Sequence, residues 1–82
     1  QNRPSKLKFS YKEQREFETI DDDIAKLEEK IEQLDEEIIE NATNSGKLAE
    51  LTQQKEKTEE ALNEKMDRWV YLNDLAEQIA NQ

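Results

Sequence analysis

The sequence predicts an all-α fold, an antiparallel two-helix coiled-coil hairpin with a short N-terminal helix packed at its base. Three observations support this prediction. Of the 82 residues, 40% are charged and 33% hydrophobic, with one Gly and one Pro, a mix typical of either disorder or long helices. Two stretches space their apolar residues alternately three and four apart, which favours helices. One cluster of turn-forming residues lies between these stretches.

The N-terminal region is predicted to be a basic linker followed by a short helix. The linker is assigned to residues 1–9, because residues 1–8 are mostly polar and basic, contain Pro4 and lack an apolar period. Ser10 followed by Glu13 matches a capping box, so a helix is expected over residues 10–18. Its aromatic neighbours are expected to lie in the core: Phe9, Tyr11 and Phe17.

A heptad pattern predicts the first long helix over residues 20–41. Asp21 and the two acids after it suit the positive end of a helix dipole at its start. Apolar side chains then recur along one face with alternating steps of four and three, the spacing of a coiled-coil seam. The seam residues are Ile20, Ile24, Leu27, Ile31, Leu34 and Ile38.

The turn is predicted at residues 41–47 and the second long helix at residues 47–80. The only glycine, Gly46, is expected in a left-handed turn or capping conformation. The second seam again alternates steps of three and four. It consists of Leu48, Leu51, Lys55, Thr58, Leu62, Lys65, Trp69, Leu72, Ala76 and Ile79.

Antiparallel pairing of the two seams fixes one register for the whole hairpin. It places Leu51 opposite Ile38, and it makes five further pairs: Leu34 with Lys55, Ile31 with Thr58, Leu27 with Leu62, Ile24 with Lys65, and Ile20 with Trp69. The polar seam residues Lys55, Thr58 and Lys65 are interpreted as fixing this register, with docking of a partner helix as the alternative. At the base, we expect a three-helix core built on Phe17, Trp69, Tyr71, Leu75 and Ile79.

Composition argues against an enzyme. The chain has no Cys and no His, which removes disulfides, thiolate metal sites and the commonest general base. The carboxylate runs at residues 21–23 and 35–37 are interpreted as solvated helix faces, because they lack the Gly-centred spacing of a calcium loop. No apolar run is long enough to span a membrane, so we expect a cytoplasmic protein. The intramolecular register of the two seams favours a monomer.

Charge is distributed unevenly along the chain. Residues 1–15 carry five basic residues and one acid, a net +4, whereas residues 16–82 carry 7 basic and 20 acidic residues, a net −13. A phosphate backbone would be attracted to the first segment and repelled by the rest. The candidate nucleic-acid-binding residues are therefore Arg3, Lys6, Lys8, Lys12 and Arg15; a solvated basic linker is the alternative.

Two segments resemble a known family. Residues 8–18, Lys-Phe-Ser-Tyr-Lys-Glu-Gln-Arg-Glu-Phe-Glu, are similar to the K-L-S-Y-K-E-Q-R-E-L-E signature of the C-terminal domain of ABC-F proteins, particularly the Uup-like branch. Residues 66–72, Met-Asp-Arg-Trp-Val-Tyr-Leu, resemble that domain's R-W-x-x-L-E element. Two positions depart from the family pattern: Asp21 replaces a frequent Pro, and Asn73 replaces an acid.

The resemblance implies an accessory domain of a larger ATPase. Residues 1–9 would then link residues 10–82 to upstream ATP-binding cassette domains, which hold the ATP and Mg²⁺. The fragment itself would need no cofactor, since it lacks a P-loop. Family members act on ribosomes, and the Uup-like coiled coil is associated with nucleic acid, which implies ribosomal RNA or DNA as partner. The alternative function is contact with a basic ribosomal protein or with the parent's own ATPase domains.

Overall fold

The computed structural model describes residues 6–82 and contains two long antiparallel helices. Helix α1 spans Tyr11–Glu40 and helix α2 spans Ser45–Ala80. Residues 6–10 lead into α1 without regular structure, and no strand occurs within residues 6–82. The two helices form a rod measuring 71 × 17 × 16 Å. The predicted all-α hairpin is confirmed.

Helix α1 begins at the predicted cap but contains no break after it. The Ser10 side chain accepts a hydrogen bond from the Glu13 amide at 3.1 Å, and the Glu13 carboxylate accepts one from the Ser10 amide at 2.8 Å. The predicted division into a short helix over 10–18 and a long helix over 20–41 is wrong, because α1 continues through Glu18 and Thr19. No Gly or Pro interrupts residues 11–40. The base is therefore a two-helix structure, not a three-helix cluster.

The turn is shorter than predicted and requires no left-handed residue. Asn41 ends α1, and its amide donates to the Glu37 carbonyl at 3.0 Å. Asn44 caps α2 by accepting from the Lys47 amide at 3.0 Å. Gly46 consequently lies in the first turn of α2, and no residue in the described range has a positive φ. The left-handed conformation predicted for Gly46 is wrong because Asn41 and Asn44 supply the caps instead.

The core follows the predicted seams. Four side chains are almost completely buried, with at most 3% of their surface exposed: Ile20, Leu34, Leu51 and Leu72. Thr58 is also buried, and its hydroxyl donates to the Gln54 carbonyl at 2.8 Å, so its polar group is satisfied within α2. The remaining seam residues are half-buried, except Trp69. The heptad pattern therefore identified the buried face of both helices correctly.

Three contacts between the helices confirm the predicted register. Lys55 forms an ion pair with Asp35 at 2.6 Å, and Lys65 forms one with Asp23 at 3.1 Å. The indole nitrogen of Trp69 donates to Asp21 at 2.9 Å. The observed partner on α1 is in each case the residue next to the predicted seam partner. Long side chains on α2 can reach such a neighbouring position without a change of register. The two ion pairs also support the interpretation that the polar seam residues fix the register.

The aromatic residues at the base are less buried than predicted. Tyr11 is 76% exposed, Tyr71 45% and Trp69 40%, so the expectation that they form the core is wrong. Phe9 and Phe17 do pack together, with ring centroids 5.0 Å apart, and both are half-buried. The most deeply buried residues at the base are the aliphatic Ile20 and Leu72, because two helices alone cannot enclose large rings on every side.

Candidate interaction surface at the base of the hairpin

The base, defined as residues 6–23 and 65–82, is held together by a polar network between the helices. Arg68 donates two hydrogen bonds to Glu16, from Nε at 2.9 Å and from Nη2 at 2.7 Å. Its guanidinium lies 4.7 Å from the centroid of the Tyr71 ring, a cation–π arrangement. The Tyr71 hydroxyl in turn donates to Glu13 on α1. The network therefore joins Glu13 and Glu16, in the first two turns of α1, to Arg68 and Tyr71 of α2.

Hydrogen bonding shifts the acidities within this network. The Ser10 backbone amide, and after it the Tyr71 hydroxyl, lower the pKa of Glu13. The hydrogen bonds from Arg68 lower the pKa of Glu16. The same Glu13 contact raises the pKa of Tyr71, since it favours the protonated phenol. Both glutamates are thus anionic and engaged at neutral pH.

The segment before α1 and the last residue after α2 also meet at the base. The Leu7 amide donates to the Gln82 side-chain oxygen at 2.7 Å, and the Gln82 side-chain amide donates back to the Leu7 carbonyl. These reciprocal bonds hold the extended segment of residues 6–10 beside the end of α2. The basic residues of that segment therefore lie at the same end of the rod as the start of α1.

Four of the five predicted nucleic-acid-binding residues can be located. Lys6 and Lys8 are exposed on the extended segment, and Lys12 and Arg15 are exposed on successive turns of α1. Arg3 lies outside the described residues. Glu13, the only acid among the first fifteen residues, is engaged by Ser10 and Tyr71. The structure thus brings the four located basic side chains to one end of the rod.

Tyr11 is a further candidate, although it was expected in the core rather than on a stacking surface. Its ring is 76% exposed, its hydroxyl accepts from Arg15 at 3.0 Å, and the Arg15 guanidinium lies 5.9 Å from its centroid. The heptad pattern contained a signal for this exposure. If the seam is extended from Ile20 towards the N-terminus in steps of three and four, it includes Phe17 and Glu13 but not Tyr11.

A shallow groove lies between the helices where the base meets the arm, which we define as residues 24–64. It encloses about 560 Å³, with Leu27 and Ala61 as its apolar residues. Its other lining residues are charged and of both signs: Asp23, Lys26, Glu64, Lys65 and Arg68. Within residues 6–82, no three Asp or Glu side chains come together in a way that could hold a metal ion. The carboxylate runs therefore do not converge in the described part of the chain.

The fold and the base define a small coiled-coil hairpin module. Hydrogen bonds hold the helices together at one end, and part of that end is basic. Its family follows from comparison: the chain belongs to the ABC transporter C-terminal domain family, whose model matches residues 8–74. It is 44% identical over 72 residues to the uncharacterized ABC transporter ATP-binding protein YfmR of Bacillus subtilis (strain 168). That match covers 88% of this chain and 11% of the relative's length. No solved structure matches the chain.

These matches confirm the resemblance to the C-terminal domain of ABC-F-like proteins. The chain is a small C-terminal domain of this family, built from two helices. No helix in the described range is long and apolar enough to cross a membrane. The two segments that carried the resemblance, residues 8–18 and 66–72, meet through the network of the base.

The two departures from the family pattern have local structural roles. Asp21, where other members often have Pro, accepts the hydrogen bond from the Trp69 indole nitrogen. A proline at this position has no side-chain acceptor. Asn73 donates from its side chain to the Trp69 carbonyl at 2.9 Å, within α2. Both departures therefore contact Trp69, one through its ring and the other through its backbone.

Proposed function

We propose that this chain is a non-catalytic accessory domain that binds nucleic acid and positions an ABC-F ATPase on the ribosome. Residues 1–9 link it in cis to the upstream ATP-binding cassette domains, which bind ATP and Mg²⁺. Ribosomal RNA is the proposed ligand, with DNA as the alternative nucleic acid. The domain acts in the cytoplasm. It acts as a monomer, because its two seams pack against each other within one chain.

The separation of charge along the rod is the observation that carries this proposal. Residues 1–15 have a net charge of +4 and residues 16–82 a net charge of −13. The bonds between Leu7 and Gln82 hold residues 6–10, which include Lys6 and Lys8, at the base. Phosphates are attracted to the basic residues 6–15 and repelled by the acidic remainder of the rod, so the nucleic acid is expected to contact the start of α1 and the segment that leads into it.

Two kinds of contact would contribute to binding. The exposed Lys6, Lys8, Lys12 and Arg15 can neutralise phosphates, and each phosphate contact steepens the dependence of log K on log salt by about 0.9. The exposed ring of Tyr11 offers a stacking surface for an unpaired base. The acidic arm opposes both, so we expect weak binding that is strongly sensitive to salt.

A charge-matched pair of variants tests the proposal. The domain is titrated with a structured ribosomal RNA fragment and with duplex DNA over a series of salt concentrations. The test variant is K6E/K8E/K12E/R15E. The control variant is K26E/K30E/K47E/K57E. It reverses the charge of four exposed lysines within residues 24–64 and has the same net charge as the test variant. None of these eight residues takes part in an ion pair between the helices.

The proposal predicts that the test variant loses binding and the control retains most of it. Absence of binding at low salt, or equal losses in the two variants, would refute it. Equal losses would mean that net charge alone governs the interaction, with no localised site at the base.

Protein recognition is a second candidate function. The net charge of −13 in residues 16–82 suits a basic protein better than a phosphate backbone. The partner would be a basic ribosomal protein or the parent's ATPase domains. Deletion of residues 20–80 from the parent tests both candidates: unchanged ATPase activity and unchanged ribosome association would contradict both.

A further inference from the structure

Exposed apolar side chains are concentrated at the base. Within residues 6–82, six of the seven large hydrophobic residues that are exposed lie there, and the seventh, Ile39, lies near the turn. Three of the six follow helical spacing on α2: Met66 is 47% exposed, Trp69 40% and Val70 60%. Because they are three and four positions apart, they lie on one face of the helix. We call these three residues the apolar stripe.

Packing between α1 and α2 covers only part of the stripe. Leu72 provides the buried contact of this part of α2 and is completely inaccessible, whereas the stripe stays open. The Trp69 nitrogen is already satisfied by Asp21, which fixes the ring while leaving much of it exposed. A fixed, partly exposed aromatic ring with its polar atom satisfied is typical of a binding anchor.

The surroundings of the stripe are acidic. Asp67 and Asp74 are exposed on the outer side of α2, and Asp21 of α1 adjoins Trp69. The only basic residue within residues 66–77 is Arg68, and both its hydrogen bonds are to Glu16. The electrostatic potential over the stripe therefore favours a cationic partner and disfavours phosphate.

A hollow continues the stripe towards the end of α2. Asp74 and Glu77 are four and seven positions beyond Val70, so they lie on the same face. The hollow has a volume of about 550 Å³, and its lining contains two carboxylates and no basic residue, while the exposed Lys6 and Lys8 flank Leu7 at its edge. It is lined by Leu7, Asp74, Glu77, Gln78, Asn81 and Gln82. Its size and its two carboxylates suit the end of a lysine or arginine side chain.

We propose that this face binds a basic amphipathic helix of a protein partner. The partner's apolar residues would pack on the stripe, and its lysines or arginines would lie beside Asp67 and Asp74 and in the hollow. This mode combines apolar anchors at helical spacing with charge complementarity. The proposal rests on the second candidate function, protein recognition, and assigns it to one face of α2.

Trp69 provides the signal for a direct test, since it is the only tryptophan of the chain. The 82-residue chain is titrated with a synthetic helical peptide that has leucines on one face and lysines on the other. Docking is expected to shift the Trp69 emission to the blue and to saturate. The variant M66S/V70S should weaken binding by about tenfold or more, and the control I39S should change it less than about twofold.

A second peptide, with the same lysines but serine in place of leucine, separates this proposal from general attraction between opposite charges. Equal affinity for both peptides, or equal effects of M66S/V70S and I39S, would overturn the assigned face while leaving protein recognition by the acidic arm intact. An absent emission shift up to about 1 mM peptide would also overturn it. Concentration-dependent dimerisation that M66S/V70S abolishes would instead assign the stripe to a second copy of the chain.

Discussion

Arg68 on α2 and Glu16 on α1 form a two-point contact that joins positions 52 residues apart in the chain. The contact uses two donors of the guanidinium and both carboxylate oxygens, an arrangement that a lysine cannot reproduce. The side chains are 46% and 25% exposed, so solvent screens the attraction between their charges. Its main contribution is geometric: it fixes how the first turns of α1 lie against α2.

Glu16→Gln should make the domain less stable at neutral pH, and the loss should depend on pH. Arg68 lowers the pKa of Glu16 below its ordinary value of 4.5. A lowered pKa in the folded state means that the ionised group stabilises the fold above pH 4.5 and that this contribution is lost as pH falls through the folded-state pKa. Thermal unfolding followed by circular dichroism should show a difference between wild type and variant at pH 7 that shrinks in acid.

Glu29→Gln is the matched control for that measurement, because Glu29 is an exposed glutamate of the same helix. Its unfolding midpoint should stay close to the wild-type value at neutral pH. A Glu16→Gln difference that stays constant from neutral to acidic pH would show that the ionised carboxylate contributes nothing to the contact.

Gly46→Ala should raise the free energy of unfolding by about 0.5–1 kcal/mol, because alanine is the better helix former. Gly46 lies in the first turn of α2 without a positive φ. An added Cβ would meet only the Asn44 side-chain oxygen, at 3.8 Å, an ordinary contact. Urea unfolding measures the change, and Ala49→Gly, at an exposed position of α2, should give a loss of similar size. A destabilising Gly46→Ala would support the left-handed conformation expected from sequence.

The register of the hairpin could be predicted from sequence because it depends only on spacing. Leu34, Leu51 and the other seam residues recur in steps of three and four on both helices, and only one antiparallel alignment pairs them all. The ion pairs of Lys55 and Lys65 then fall within one residue of the predicted partners. Periodicity carries this information without any knowledge of side-chain conformation.

Three features could not be obtained from spacing alone. The continuity of α1 through Glu18 depends on the absence of a helix breaker, whereas a capping box and an acidic run suggested two starts. The exposure of Trp69 depends on how many helices surround it. The residues expected to form a separate third helix are the start of α1, so only one helix packs against Trp69. The contacts of Glu13 and Glu16 with α2 join charged side chains outside the apolar pattern.

Leu72→Ala should be among the most destabilising single changes in the chain. Leu72 is completely buried, and large-to-small substitution of such a residue costs about 2–5 kcal/mol in lost burial and cavity formation. Val70→Ala is the control, since Val70 is two residues away on the same helix and 60% exposed; it should change stability by less than about 0.5 kcal/mol. Urea titration monitored by helical circular dichroism gives both values. Similar losses for the two variants would contradict the assigned packing of the base.

Tyr11→Ala should weaken binding of single-stranded RNA without reducing stability. Tyr11 is 76% exposed and makes no contact with α2 through its hydroxyl, which accepts only from Arg15. Stacking of a base on an aromatic ring contributes about 1–3 kcal/mol, so the proposed function predicts a clear loss of affinity in RNA titrations at low salt.

Tyr11→Phe separates the two roles of this residue. It keeps the stacking surface and removes the hydroxyl that positions Arg15. Affinity close to that of wild type in Tyr11→Phe, combined with a loss in Tyr11→Ala, would identify the ring itself as the contact. Equal losses would assign the effect to the placement of Arg15 beside a phosphate. Unchanged affinity in both variants would remove Tyr11 from the nucleic-acid surface, which would then consist of the basic side chains alone.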